Sequence, residues 1–143
     1  MVTILRTVGA IIAGIVLALG LVIAVELWSN VVHPLPPGFE HTPEAMCAHV
    51  ERYPQWVLAI AAAAWGATTY ASTWVASRLG NWVSGGLVGL LLLAAVLFNM
   101  SMLPYPVWFE AANVIVFPLA ILLGLRGARR RQAEQSAATY LGA

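Results

Sequence analysis

VGAIIAGIVLALGLVIAVELW, residues 8 to 28, decides the class of this protein. The run carries no charge until Glu26, close to its end. Its length meets the requirement of about 20 apolar residues for a helix that crosses the hydrocarbon core of a bilayer. A secretory signal has a shorter apolar region, roughly 7–15 residues, and a small-residue cleavage site ahead of a polar domain. The run lacks that pattern, so it is expected to stay attached as a first membrane span.

The rest of the chain agrees. Of its 143 residues 61% are hydrophobic and 9% charged, against about 25% charged in a soluble domain. Three further stretches have the length and apolarity of spans, at about 55–77, 82–103 and 107–125. Each is expected to be helical, because in lipid every backbone donor and acceptor has to be satisfied within the segment. The expectation is therefore an all-α polytopic membrane protein: a single domain over residues 1–126, with four transmembrane helices in a bundle. An outer loop (29–54) and a basic cytoplasmic tail (127–143) complete it.

Arginine sets the direction. Threading four spans puts Arg6, Arg78, Arg126, Arg129, Arg130 and Arg131 on one side and Arg52 alone on the other. The positive-inside rule then places both termini in the cytoplasm, and the absence of Lys from an Ala-, Gly- and Val-rich chain points to a GC-rich bacterial genome and so to a bacterial inner membrane. Trp28, Trp56 and Trp108 fall at the outer interface and Trp74 and Trp82 at the inner one, an independent signal that agrees; only Trp65 lies mid-membrane. The arginines of LRGARRRQAEQ would fix topology or meet anionic lipid, and SAATYLGA beyond them reads as frayed.

In the outer loop, HPLPPG (33–38) ends the first helix, since the residue before a proline is pushed out of helical geometry. Thr42 then suits a cap, Pro43 a first helical position and Glu44 a first turn, so a short surface helix is expected from about Pro43 to Tyr53. Small residues mark candidate packing faces: Ala59, Ala63 and Ala67 on the second span, Gly85 and Gly89 on the third, Ala10 and Gly14 on the first. The Gly85–Gly89 pair fits either packing within one chain or a dimer contact.

Glu26, Asn30 and His33 follow one helical stripe at the outer end of the first span. Asn99, Glu110 and Asn113 fall at similar depth on the third and fourth. Ionisable groups inside spans face the bundle interior and mark binding sites or pair with one another. These six residues are the candidate ligand-binding set, and a hydrogen-bonded lock at the outer end is the alternative. His41, Cys47 and His49 offer metal-ligand chemistry without an established ligand spacing. Cys47 is the sole cysteine, so no internal disulfide forms. No nucleotide loop or nucleophile–base motif points to catalysis, and a net charge of +1 gives no sign of a nucleic-acid partner. No cofactor is called for, although the sequence leaves a metal or a His-ligated haem open. The function expected first is a scaffold or accessory subunit that packs in lipid as a homo-oligomer or within a larger membrane complex. The other is a ligand-, metal- or proton-binding site at the outer leaflet on Glu26 and Glu110, as part of a membrane enzyme or transporter.

ELWSN (26–30), HPLPPG (33–38) and NMSMLPYPVWF (99–109) together resemble a family of small bacterial four-span membrane proteins of unknown function. The resemblance implies the same architecture and no activity. The family often carries His at the positions of Asn30 and Tyr105, so this chain has fewer imidazoles in its outer cluster.

Overall fold

A computed structural model describes the backbone of residues 2–141 and the side chains of residues 4–131. The described residues form five helices and no strand: α1 (Val2–Val32), α2 (Pro43–Val50), α3 (Gln55–Leu79), α4 (Trp82–Met102) and α5 (Val107–Leu141). Three stretches, Ile4–Val32, Trp82–Met102 and Val107–Arg131, are long and apolar enough to cross a membrane. The chain is thus a helical protein with the character of a multi-pass membrane protein.

α3 falls outside that set of three for a reason visible in its packing. It has 25 residues, about 37 Å at 1.5 Å per residue, so length is sufficient. Its hydropathy is lowered by Thr68, Thr69, Ser72, Thr73 and Ser77, and all five are buried. Thr68 and Thr69 return their hydroxyls to the carbonyls of Ala64 and Trp65, both at 2.9 Å, the back-bonding that lets a helix hold polar side chains away from water.

α3 is the hub. It packs against α1, α4 and α5, while α4 also touches α1 and α5, and α1 and α5 do not meet among the described residues. Glycines permit the close crossings. A Cβ built on Gly85 would fall on Ser77 Oγ and lie 2.7 Å from the Thr73 carbonyl oxygen. One on Gly89 would lie 2.8 Å from Ile121, and one on Gly14 3.0 Å from the Ala76 methyl. Gly85 and Gly89 are therefore spent on packing within one chain.

Ala59, Ala63 and Ala67 do the opposite and lie on the exposed side of α3. The hydroxyl-bearing face takes the interior and the alanine stripe is turned outward; Thr68 and Thr69 are satisfied by back-bonding, while the Ser72, Thr73 and Ser77 hydroxyls are buried without a hydrogen-bond partner. The tail also differs from expectation. α5 continues past the arginines to Leu141, in keeping with a segment rich in Ala, Arg, Gln and Glu and free of proline. Residues 142–143, the end of the stretch read as frayed, lie outside the described residues. α2 stops at Val50, one turn short of Tyr53.

Candidate functional site at the α2 end of the bundle

α2 starts where the sequence places it. Thr42 Oγ1 accepts a hydrogen bond from the Ala45 amide at 3.2 Å, and Pro43 and Glu44 fill the first turn. The helix reaches the bundle through side chains. His49 and Val50 are buried on its lower side, and Cys47 lies with Sγ 3.9 Å from the Met102 carbonyl oxygen. The loop is tied to α1 by Tyr53, whose hydroxyl is 2.9 Å from Ser29 Oγ. His33 stacks on His49 with ring centroids 4.5 Å apart and leans on Tyr53 at 4.6 Å. Phe39 closes the cluster edge-on to His49 at 5.8 Å. These contacts make α2 a lid over the C-terminal ends of α1 and α4.

Under the lid lies a cavity of about 270 Å³ whose polar lining is Glu26, Ser29, Tyr53, Trp65, Asn99 and Tyr105. A second, of about 170 Å³, extends deeper between α1, α3, α4 and α5 to Thr68, Thr69 and Phe117. Glu26, Trp65 and Asn99 line both, so the two spaces meet at these side chains. A third, of about 380 Å³, opens at the rim between α2 and the end of α4, on His41, Cys47, Met102 and again Asn99. Most of the remaining lining is apolar.

The polar groups at the junction are unspent. Trp65 Nε1 and Asn99 Oδ1 are buried without a hydrogen-bond partner. Among the described residues nothing forms a hydrogen bond or ion pair with the Glu26 carboxylate. Glu26 and Ala95 are exposed and mark a mouth between α1 and α4, facing sideways along the bundle. Tyr105, in the turn between α4 and α5, is held as a neutral phenol: burial raises its pKa well above the usual range, and the Glu26 carboxylate and Tyr53 push the same way. The junction therefore offers two acceptors, Glu26 and Asn99, beside two donors, the Trp65 indole and the Tyr105 hydroxyl. Such convergent polar groups in an apolar hollow are what a small-molecule site requires.

Of the six candidate residues, Glu26 and Asn99 meet at the cavities. His33 belongs to the lid. Asn30 is exposed on α1, and Glu110 sits half-buried in the first turn of α5; neither lines these cavities. Asn113 is fully buried elsewhere, donating from Nδ2 to the Phe109 carbonyl at 2.9 Å. Of the metal candidates, His41 and Cys47 line the same rim cavity, while His49 stacks on His33. Among the described residues no three His, Cys, Asp or Glu side chains are grouped to hold a metal ion.

Sequence reasoning passed over Trp65, Tyr105, Tyr53 and Ser29 as site residues. Trp65 had a signal, being the lone indole away from an interface. The Ser29–Tyr53 pairing had none, because it joins positions on different elements.

His49 gives the lid a pH dependence. Burial, His33 and Arg52 in that order depress its pKa below the ordinary 6.5. The unfolded chain then takes up a proton before the lid does, so the docked lid is at full stability above pH 6.5 and loses stability as pH falls toward the depressed value. The protection factors of the Glu44–Val50 amides, with the intrinsic pH dependence of exchange divided out, should fall between pH 7 and 5, and His49→Phe should flatten that response.

Compared with known proteins, the chain matches no family model, no curated protein and no solved structure.

Proposed function

We propose that this chain is a small bacterial inner-membrane protein of four spans, related to the four-span family it resembles. Its outer-leaflet cavity holds an amphiphile by a polar end that both donates and accepts hydrogen bonds. α3 is the fourth span, central and shielded by the other three, with α2 capping the outer side and both termini in the cytoplasm. The observation that carries the reading is the meeting of two cavities at Glu26, Trp65 and Asn99, where three polar groups lack partners. A buried polar group without a partner costs about 1–3 kcal/mol, and a ligand hydroxyl or amine would remove that cost. The sideways mouth at Glu26 and Ala95 favours entry from the lipid phase. Ser29 and Glu26 both line the cavity, but the Ser29 hydroxyl is engaged with Tyr53 at 2.9 Å, which supports binding without chemistry. The test is native mass spectrometry of protein extracted in mild detergent, comparing the chain with Glu26→Leu.

The scaffold reading keeps one supporting observation, the outward stripe of Ala59, Ala63 and Ala67. It has lost Gly85 and Gly89, which pack inside the chain. A homo-oligomer that survives Glu26→Leu but not Ala63→Leu would favour it.

A further inference from the structure

At the end of the bundle remote from α2, α3 and α5 enclose a second kind of space. An apolar groove of about 320 Å³ runs between them, floored by Gly66, Ala67, Val116 and Ala120. Gly66 makes the floor, since a Cβ there would run into Val116. The groove ends on Tyr70 and Leu123, and these same two residues begin the adjoining hollow of about 360 Å³, completed by Arg126, Gly127 and Arg130. Apolar groove and cationic hollow are thus continuous.

The two arginines are specific to this face. Arg126 and Arg130 are four residues apart on α5 and share one side of the helix. Arg129 is turned away, its guanidinium 5.7 Å from the Trp82 ring. Among the described residues none pairs with Arg126 or Arg130. Tyr70 brings a hydroxyl to the same place, as a Cβ on Gly127 would lie 3.5 Å from it. An occupant needs an acyl-sized apolar part for the groove and an anionic group with several acceptor oxygens for two guanidinium forks and a phenol.

We infer that the α3–α5 face binds one anionic phospholipid, its acyl chain along Gly66 and Ala67 and its phosphate between Arg126, Arg130 and Tyr70. A zwitterionic lipid presents the same phosphate but carries its own ammonium, so a net negative headgroup is preferred. A juxtamembrane arginine strengthens binding to anionic lipid roughly fivefold, or about thirtyfold for two.

The experiment is native mass spectrometry of detergent-solubilised protein titrated with dioleoylphosphatidylglycerol or dioleoylphosphatidylcholine. One phosphatidylglycerol should be retained per chain in preference to phosphatidylcholine. Arg126→Ala with Arg130→Ala should weaken it about thirtyfold. Ala67→Phe, which fills the groove and leaves both arginines, should also release it. Arg131→Ala, exposed and off the hollow, should release little. Equal retention of the two lipids overturns the inference, as does an Arg131→Ala loss as large as the double variant's. So does a dimer that covers this face and excludes lipid.

Discussion

Gly85→Leu should abolish the assembled bundle. Even one added carbon at this position collides with Ser77 and the Thr73 backbone carbonyl, and a backbone group on a central helix has nowhere to retreat. Overpacking a core costs typically 1–3 kcal/mol, and a leucine here forces α3 from α4 along their whole contact. Because α3 also carries the contacts to α1 and α5, the separation is not local. The expected outcome is loss of a sharp thermal transition in detergent and rapid proteolysis. Gly86→Leu is the control from the next residue: a Cβ there meets nothing within 4 Å, so that variant should unfold like the parent chain. Matching losses in both would mean that leucine harms the helix itself and not the α3–α4 crossing.

Glu26→Leu should separate stability from binding. A carboxylate inside a span is unfavourable by about 2.5–3.5 kcal/mol at mid-bilayer and less toward an interface. Removing it should leave the thermal midpoint unchanged or raise it. The same substitution deletes one of the two acceptors shared by both cavities, and an amphiphile held there should be retained at least tenfold less, the effect of about 1.4 kcal/mol. A site residue shows this opposition of stability and occupancy, whereas a hydrogen-bonded lock would lose stability. No change in either measurement would return the scaffold reading to the front.

How much of this was legible in the sequence depended on whether a helix advertises its own faces. The run from Val8 to Trp28 declares a span by length and apolarity, and marks its inward side through the small residues Ala10 and Gly14, both buried against neighbouring helices. α3 declares its faces in hydroxyls instead. Thr68, Thr69, Ser72, Thr73 and Ser77 recur at helical spacing, and that stripe, not the alanines, turned inward. The small-residue rule marked Ala59, Ala63 and Ala67, a face left exposed on α3, because the buried hydroxyls took the interior side. Position along a helix did not settle which way a polar side chain turns. Asn99 and Asn113 fall at similar depth, yet one lines the cavities and the other is enclosed against Phe109. SAATYLGA reads as frayed in the sequence, whereas the backbone of α5 runs on to Leu141.

A cavity within the outer leaflet requires that α3 cross the membrane, so cysteine accessibility in intact bacterial cells is the most direct measurement. In a Cys47→Ala background, one cysteine is placed at the exposed outer loop as Glu40→Cys and another, separately, in the tail as Ser136→Cys. An impermeant maleimide should label the first in intact cells and the second only after the cells are opened. Labelling of both in intact cells would mean three spans with the C-terminus outside, and would contradict the four-span architecture on which the outer-leaflet site rests.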